Sequence, residues 1–244
     1  MNGDPQPLLI APCDHQAAKY AVLSWHYSRR MPSGKLVKFG VWENGRFVGC
    51  VLYGRGASSN LGRPYQLGPT EVCELVRVAL DQHDTPVSQI VAETLRQLKQ
   101  LNPGLRLAVS FADSYHGHHG GIYQAGNWLY LGTTGTKETF VLVVNGKRTH
   151  PRNLGITYGP GGQSIPWLRA NVDPQARRVY LPPKHRYVYP LDKQMRRRLT
   201  KQAQPYPPPA DEGSTVSRPA HQPGGAGSTP AVRSTTSRHA KVEA

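Results

Sequence analysis

The short apolar run at residues 105–111, LRLAVSF, ends on Ala112-Asp113 and passes into a segment that no hydrophobic core needs. Asp113, Ser114, Tyr115, His116, His118, His119 and Tyr123 fall within eleven positions, interleaved with Gly117, Gly120 and Gly121. A run of this length followed by turn residues reads as a strand inside a sheet. Polar groups at its carboxyl end lie where open α/β sheets hold their ligands. The chain is thereby committed to a sheet with a chemically active edge. The alternative is a glycine-rich loop whose histidines face water.

The segments around this strand alternate. Residues 16–26 form a helix and 27–36 a polar loop, and strands at 37–42 and 46–53 flank Glu43-Asn44-Gly45, a hairpin signal. Residues 72–80 read as a strand with Val72, Glu74, Val76 and Val78 on one face and Cys73, Leu75, Arg77 and Ala79 on the other. Thr85 has the character of an N-cap with Pro86 at the first helical position, and Ile90, Val91, Thr94, Leu95, Leu98 and Leu101 follow at helical spacing. A short helix is expected at 121–125. A closing pair of strands is expected at 138–144 and after Asn145-Gly146. The fold class is α/β, a mixed central sheet flanked by helices.

Charge divides the chain. Of the +15 net charge, residues 145–204 contribute +11, with 13 Lys and Arg against two acidic residues. The same stretch holds Tyr158, Trp167, Tyr180, Tyr187 and Tyr189, a mixture suited to phosphate contacts and base stacking. A basic surface that only aids solubility is the alternative, although solubility requires no such segregation. Residues 205–244 are half Pro, Gly, Ser and Thr; such a tail buries too little apolar surface to offset its ordering entropy and is expected to be disordered. The expected organisation is a core at 1–144, a basic extension at 145–204 that completes the fold and contacts DNA, and a tail at 205–244. Three widely spaced cysteines support neither a disulfide framework nor a thiolate zinc site. No apolar run reaches membrane-spanning length and no leader pattern opens the chain, so a cytoplasmic protein is expected.

The segment IYQAGNWLYLG resembles the helix, glycine and aromatic strand of GNAT acyltransferases. Taken with HYSRRMPSGKLVKFGVWENGRFVG, CELVRVAL, FADSYHGHHGGIYQAGNWLYLGTT and PKHRYVYPLDKQMRRRL, the chain from about His26 to Leu199 resembles the phage Mom family of DNA-modification proteins. The resemblance implies a GNAT-like core that converts adenine in phage DNA to an N6-carbamoylmethyl form, shielding the DNA from host restriction. One departure stands out. GNAT enzymes carry Gln/Arg-x-x-Gly-x-Gly/Ala at the pyrophosphate loop, whereas Gln82-His83-Asp84-Thr85-Pro86-Val87 has no glycine. The helix start still offers amides and a dipole to an anion, with Gln82, Thr85, Val87 and Ser88 as cofactor contacts, yet Asp84 opposes it. The donor stays open between an acyl-coenzyme A and an activated glycyl group such as glycyl-tRNA, with iron as a further cofactor to test.

Roles follow for the polar residues. His26 is a candidate general base or adenine-positioning group, against simple packing beside Trp25. Arg77 lies in an apolar strand and needs an acidic or phosphate partner, for which Asp113 is the natural choice. Asp113 is alternatively a base-orienting group, a metal ligand or an exposed turn residue. Tyr123 is a candidate for orienting substrate or ligating iron, the role the resemblance suggests. His116, His118 and His119 are candidate imidazole ligands in a spacing that matches no compact zinc pattern. Arg29, Arg30, Lys35, Arg177, Arg178, Lys184, Arg186, Arg196, Arg197 and Arg198 are candidates for DNA contacts, the last three along one phosphate track. Adenine N6 is paired within the duplex, so its modification calls for a flipped base, stacked on Trp42, Tyr65, Trp128 or Tyr130 unless these belong to the core. The basic stretch also suits tRNA. Two other classes compete: a nonenzymatic DNA-binding protein, and a GNAT acetyltransferase acting on a small molecule or protein.

Overall fold

The computed structural model describes residues 8–56, 60–134 and 139–208. In chain order these form β1 (Leu8–Pro12), α1 (His15–Trp25), β2 (Leu36–Glu43), β3 (Arg46–Gly54), β4 (Val72–Leu80), α2 (Val87–Leu101), β5 (Leu107–Ala112), α3 (Gly121–Ala125), β6 (Leu129–Thr134), β7 (Phe140–Val144), β8 (Lys147–Thr149), α4 (Pro151–Tyr158), α5 (Ile165–Asn171), β9 (Arg177–Tyr180), β10 (Lys184–Pro190) and α6 (Lys193–Thr200). The mixed α/β sheet expected from the sequence is present. Its seven strands run in the order β1-β2-β3-β4-β5-β10-β6, with β4 and β5 parallel and the other neighbours antiparallel.

The parallel pair is short. Only Val72, Cys73 and Glu74 pair with Leu107, Ala108 and Val109, after which the two strands part. In the gap, the Ser110 hydroxyl donates to Leu75 O at 2.9 Å. Beside it, the β3–β4 register slips so that Leu52 faces Arg77 and Tyr53 faces Leu75, leaving Val76 as an extra residue. This bulge breaks the simple alternation expected for β4. Cys73 and Leu75 pack into the main core with Val78 and Leu80, whereas Val76 and Ala79 pack against the α1 side.

Helix α2 buries Ile90, Val91, Thr94, Leu95 and Leu98 against the sheet, each large apolar side chain contributing roughly 1.5–3 kcal/mol. Leu101, expected on the same stripe, is 60% exposed. The helix starts one residue later than the sequence suggests, with Pro86 at the cap position.

Residues 145–204 do not form one extension. The Asn145-Gly146 turn, with positive φ at both residues, makes the expected hairpin, but β7 and β8 do not close the main sheet. They join β9 in a separate three-stranded sheet with its own core of Leu142, Val144, Leu154, Leu168 and Ala176. The chain then returns to the main sheet: β10 inserts between β5 and β6, and α6, capped by Asp192 accepting from Met195 N–H, packs Met195 and Leu199 beneath it. The fold also continues past the expected boundary near residue 204. Gln204 N–H donates to Tyr130 O at 2.9 Å and the Tyr206 hydroxyl to Trp128 O at 2.7 Å. Disorder is expected from the sequence over residues 205–244; residues 205–208 are described here, and 209–244 lie outside the described residues. Among the described residues, no helix is long and apolar enough to cross a membrane.

Candidate active site

Three pieces of backbone converge where β4 and β5 part: the end of α1, the β4 bulge and the turn after β5. Asp113 caps the 3-10 turn Ser114–His116, accepting from Tyr115 N–H at 3.2 Å. Its other oxygen pairs with Lys184 Nζ at 2.9 Å, and the carboxylate side chain is only 16% exposed. The expected Arg77–Asp113 pair does not form. The bulge turns Arg77 towards the loop after α1, where its guanidinium donates to Arg30 O at 3.4 Å and to Val76 O at 2.6 Å. Lys184 takes the carboxylate instead, because β10 inserts next to β5, a placement that local sequence pattern does not encode.

His26 is buried at the C-cap of α1. Its Nδ1 accepts from Ser28 N–H at 3.1 Å, and the Ser28 hydroxyl lies 2.8 Å from the same nitrogen. A backbone amide can only donate, so Nδ1 is an acceptor and the neutral ring carries its proton on Nε2. Burial, then Arg77, His118 and His116, hold the pKa down to about 4. At neutral pH His26 is thus a hydrogen-bond donor through Nε2, which replaces the general-base role considered from sequence. The depressed pKa also has a consequence for stability. The unfolded ring takes up a proton near pH 6.5 and the folded ring only near 4, so stability present above pH 6.5 is lost as pH falls between those values. Allowing for solvent screening, roughly 1–2 kcal/mol is expected. Urea midpoints at pH 7 and pH 4.5 should fall less in His26→Gln than in wild type; equal falls would contradict the assignment.

Tyr27 is the residue that sequence reasoning missed. Its ring centroid lies 4.3 Å from His26, 4.6 Å from His116 and 5.2 Å from His118. The residue is 52% exposed, yet its hydroxyl end is desolvated. Burial and Asp113 push its pKa up while Arg77 opposes them. Tyr27 therefore joins Asp113, Arg77 and the histidines into one cluster. Its only sequence signal was adjacency to His26 in a loop otherwise rich in basic residues.

Tyr123 is buried behind this cluster, its hydroxyl donating to the Ser110 oxygen at 2.8 Å, since the Ser110 proton is given to Leu75 O. Burial pushes its pKa up to about 12. The loop before it is pinned by the Tyr187 hydroxyl donating to His119 O at 2.6 Å. Gly120, at φ 92°, has to be glycine, since a Cβ there would meet the Tyr187 ring at 2.3 Å. Among the described residues, no group of three or more His, Cys, Asp or Glu could hold a metal ion. His116 and His118 have ring centroids 6.3 Å apart and belong to the Tyr27 cluster. Tyr123 packs instead against Trp128 and Tyr187 with its hydroxyl on Ser110, so Tyr123, His116, His118 and His119 are not gathered into one iron site.

The loop expected to take a diphosphate carries its own carboxylate. Glu43, only 4% exposed at the end of β2, accepts from Asp84 N–H at 2.7 Å and Thr85 N–H at 2.8 Å. Burial raises its pKa, but the Thr85 and Asp84 hydrogen bonds and His83 outweigh that and hold it below the ordinary carboxylate value. Gln82, at φ 44°, gives its carbonyl to Arg46. The Thr85 contact expected for a cofactor is therefore engaged, and Val87 and Ser88 lie in the first turn of α2 behind it. Of the amides at this loop, those of Asp84 and Thr85 are thus taken by Glu43.

The aromatic and basic candidates also sort. Trp128 and Tyr130 belong to the core, Tyr65 is buried, and Trp42 packs 5.4 Å from Phe47. Of the basic residues, Lys184 pairs with Asp113, and Arg186 donates to Leu131 O. Arg196 lies over Tyr189, and Arg198 donates to Tyr65 O. The Arg196–Arg198 run is accordingly not one phosphate track, since successive residues point to different sides of α6. Arg29, Arg30, Lys35, Arg177, Arg178 and Arg197 remain exposed. The small sheet reaches the site loop through Arg148, whose guanidinium lies 4.8 Å over the Tyr115 ring.

A model of the Mom protein family matches residues 7–208. The protein named methylcarbamoylase Mom of Escherichia phage Mu is 29% identical over 197 residues, 78% of this chain and 79% of that protein. Among solved structures, a probable GNAT-family acetyltransferase from Chromobacterium violaceum aligns at TM-score 0.42 and 11% identity, covering 76% of this chain and 83% of that one. An aminoglycoside acetyltransferase in complex with coenzyme A and kanamycin aligns at TM-score 0.45 and 12% identity, covering 79% and 99%.

Proposed function

Since this chain belongs to the Mom protein family, we propose that it is a DNA-modifying transferase that converts adenine to N6-carbamoylmethyladenine and so protects phage DNA from host restriction. The observation that carries this reading is the Asp113–Lys184 pair set beside Arg77, Tyr27 and a neutral His26 at the parting of β4 and β5. The name methylcarbamoylase carried by the phage Mu relative supports the product. The partly exposed Tyr27 and the adjoining Arg29, Arg30 and Lys35 suit an extruded base and its flanking phosphates.

The amine N6 of adenine is a weak nucleophile that must shed a proton when it is acylated. In this reading Asp113 accepts that proton, with Lys184 holding the carboxylate in place. His26 Nε2–H and the Arg77 guanidinium donate to the donor carbonyl oxygen as negative charge develops on it. The donor in this reading is an activated glycyl group, such as glycyl-tRNA, with an acyl-coenzyme A as the alternative; the hold of Glu43 on the Asp84 and Thr85 amides favours the former. The protein works on double-stranded DNA in the cytoplasm of an infected or lysogenic host.

DNA from cells expressing the chain should resist adenine-site restriction enzymes, and the protection should survive deproteinisation. A nonenzymatic binder would protect only until protein is removed, and an acetyltransferase of small molecules or proteins would leave the DNA cleavable throughout.

Replacing Arg29, Arg30 and Lys35 by glutamine should weaken DNA binding about uniformly across sequences and flatten the slope of log K against log salt by roughly 0.9 per phosphate contact removed. Substituting Arg196 and Arg198 should change that slope little, because both are tied to the protein. An unchanged slope in the first variant would remove this loop from the DNA interface.

A further inference from the structure

The separate sheet of β7, β8 and β9 takes no part in the chemistry proposed above. Residues 139–183, which contain it, carry six Lys and Arg against one acid, Asp173. That acid is spent on the backbone, accepting from Asn145 N–H at 2.7 Å and Gln175 N–H at 2.8 Å. Among the described residues, none of the six basic side chains forms an ion pair.

The strand register sorts the arginines onto two faces. Val143 pairs with Arg148 of β8 and with Arg177 of β9, and residues directly opposite in antiparallel strands share a face. Leu142 pairs with Arg178 on the other face, which packs on Leu154 and Leu168. There Arg178 is held by the protein, its guanidinium 4.1 Å over the Phe140 ring and 3.4 Å from the Tyr180 hydroxyl. Arg148 and Arg177 are exposed on either side of the buried Val143. They stand two strand spacings apart, about 10 Å.

The face that carries them adjoins the candidate site. Arg148 ends over the Tyr115 ring, and the Ser114 hydroxyl donates to Pro183 O in the segment between β9 and β10. Both contacts fall on the turn that Asp113 caps. From Tyr115 a row of rings continues to His116 at 5.2 Å, then to Tyr27 at 4.6 Å and His26 at 4.3 Å. His116 and Tyr27 are exposed, and Arg29 and Arg30 follow Tyr27 closely in the chain. A strip of rings beside Asp113 is thus closed at both ends by arginines.

Guanidinium groups take phosphates in bidentate pairs, and exposed rings take bases. An acidic protein surface would match the charge and leave the rings unused, so the alternation suits a nucleic acid strand. We infer that this strip is the track of the DNA strand that carries the target adenine. Arg148 and Arg177 hold phosphates on one side of the extruded nucleotide, and Arg29 and Arg30 hold those on the other. The inference rests on the adenine-modifying reading and adds to it the path of the substrate strand. The small sheet is then a phosphate clamp set between β6 and β10 in the chain.

The test measures binding of a short mixed-sequence DNA duplex against salt, using the full chain and three variants whose melting curves are recorded alongside. Arg148→Gln with Arg177→Gln should flatten the slope of log K against log salt by about 1.8, roughly 0.9 for each contact. Arg177→Gln alone, which disturbs no ring contact, should give about half of that. Arg178→Gln removes the same charge one residue away on the other face and should leave the slope close to wild type. An unchanged slope in folded Arg177→Gln, or equal flattening by Arg178→Gln, would overturn the inference. So would a double variant whose slope changes for total tRNA and not for the duplex, which would assign the face to RNA. Those results together with modified adenine in cells expressing wild type would refute the clamp and leave the proposed function standing. The expected slopes without any modified adenine would do the reverse.

Discussion

Replacing Asp113 by asparagine should lower the yield of modified adenine in DNA by about 100-fold or more, the range expected when a positioned proton acceptor is lost. Asparagine keeps the shape of the side chain and can still accept from Tyr115 N–H, but it cannot take a proton from N6 and leaves Lys184 without its carboxylate. The pair is partly exposed on the lysine side, at 43%, so its loss should cost no more than about 1 kcal/mol of stability. Melting temperature and nonspecific DNA affinity should stay close to wild type. Arg77→Met should produce a loss of about 100-fold, as removal of a donor to a developing oxyanion does, although freeing the loop at Arg30 will add some structural cost. A folded Asp113→Asn protein that retains most of its product would show that the carboxylate is not the proton acceptor.

Nitrogen-15 placed at N6 of adenine should finish in the terminal carboxamide of the modified base. Acetyl transfer cannot generate a carbamoylmethyl group, which is attached through its methylene and holds one more nitrogen. If a glycyl group is transferred, N6 attacks the ester carbonyl, the tRNA hydroxyl leaves, and N6 loses a proton, giving an N6-glycyl amide. The free glycyl amine then attacks C6, forming a new C6–N bond while the old C6–N6 bond breaks. A proton passes from the attacking amine to the departing nitrogen, which becomes the carboxamide. No oxidant or reductant is consumed. The Glu43 carboxylate on the amides of Asp84 and Thr85 favours such a donor, because it takes two amides that an anionic diphosphate would otherwise use. Label retained on the nitrogen bonded to C6 would exclude the rearrangement and point to direct alkyl transfer.

The strongly periodic parts of the chain were legible in its sequence. The Asn44-Gly45 hairpin, the apolar stripe of α2 and the polar cluster at the end of β5 stand where their residue patterns place them. Long-range pairing was not legible. Insertion of β10 beside β5 brings Lys184 to Asp113 over 70 residues of intervening chain, and nothing local to either residue signals it. The β4 bulge likewise redirects Arg77 through a one-residue slip that an alternating VCELVRVAL cannot disclose. Glu43 looked like a hairpin residue, and only its burial shows that it occupies the loop before α2. Segregated charge marked the right region but concealed its division, since β7–β9 form a sheet of their own while β10 and α6 return to the core.

The central claim is that this chain covalently modifies adenine in DNA at the cluster built around Asp113. The most direct measurement is mass spectrometry of nucleosides from deproteinised DNA of cells expressing wild type or Asp113→Asn at matched levels. The account predicts a deoxyadenosine heavier by one glycine residue, fragmenting to a base that carries the added mass, abundant with wild type and nearly absent with the variant. Deoxyadenosine of ordinary mass alone in the wild-type sample, or the same adduct in equal amount from both, would contradict it.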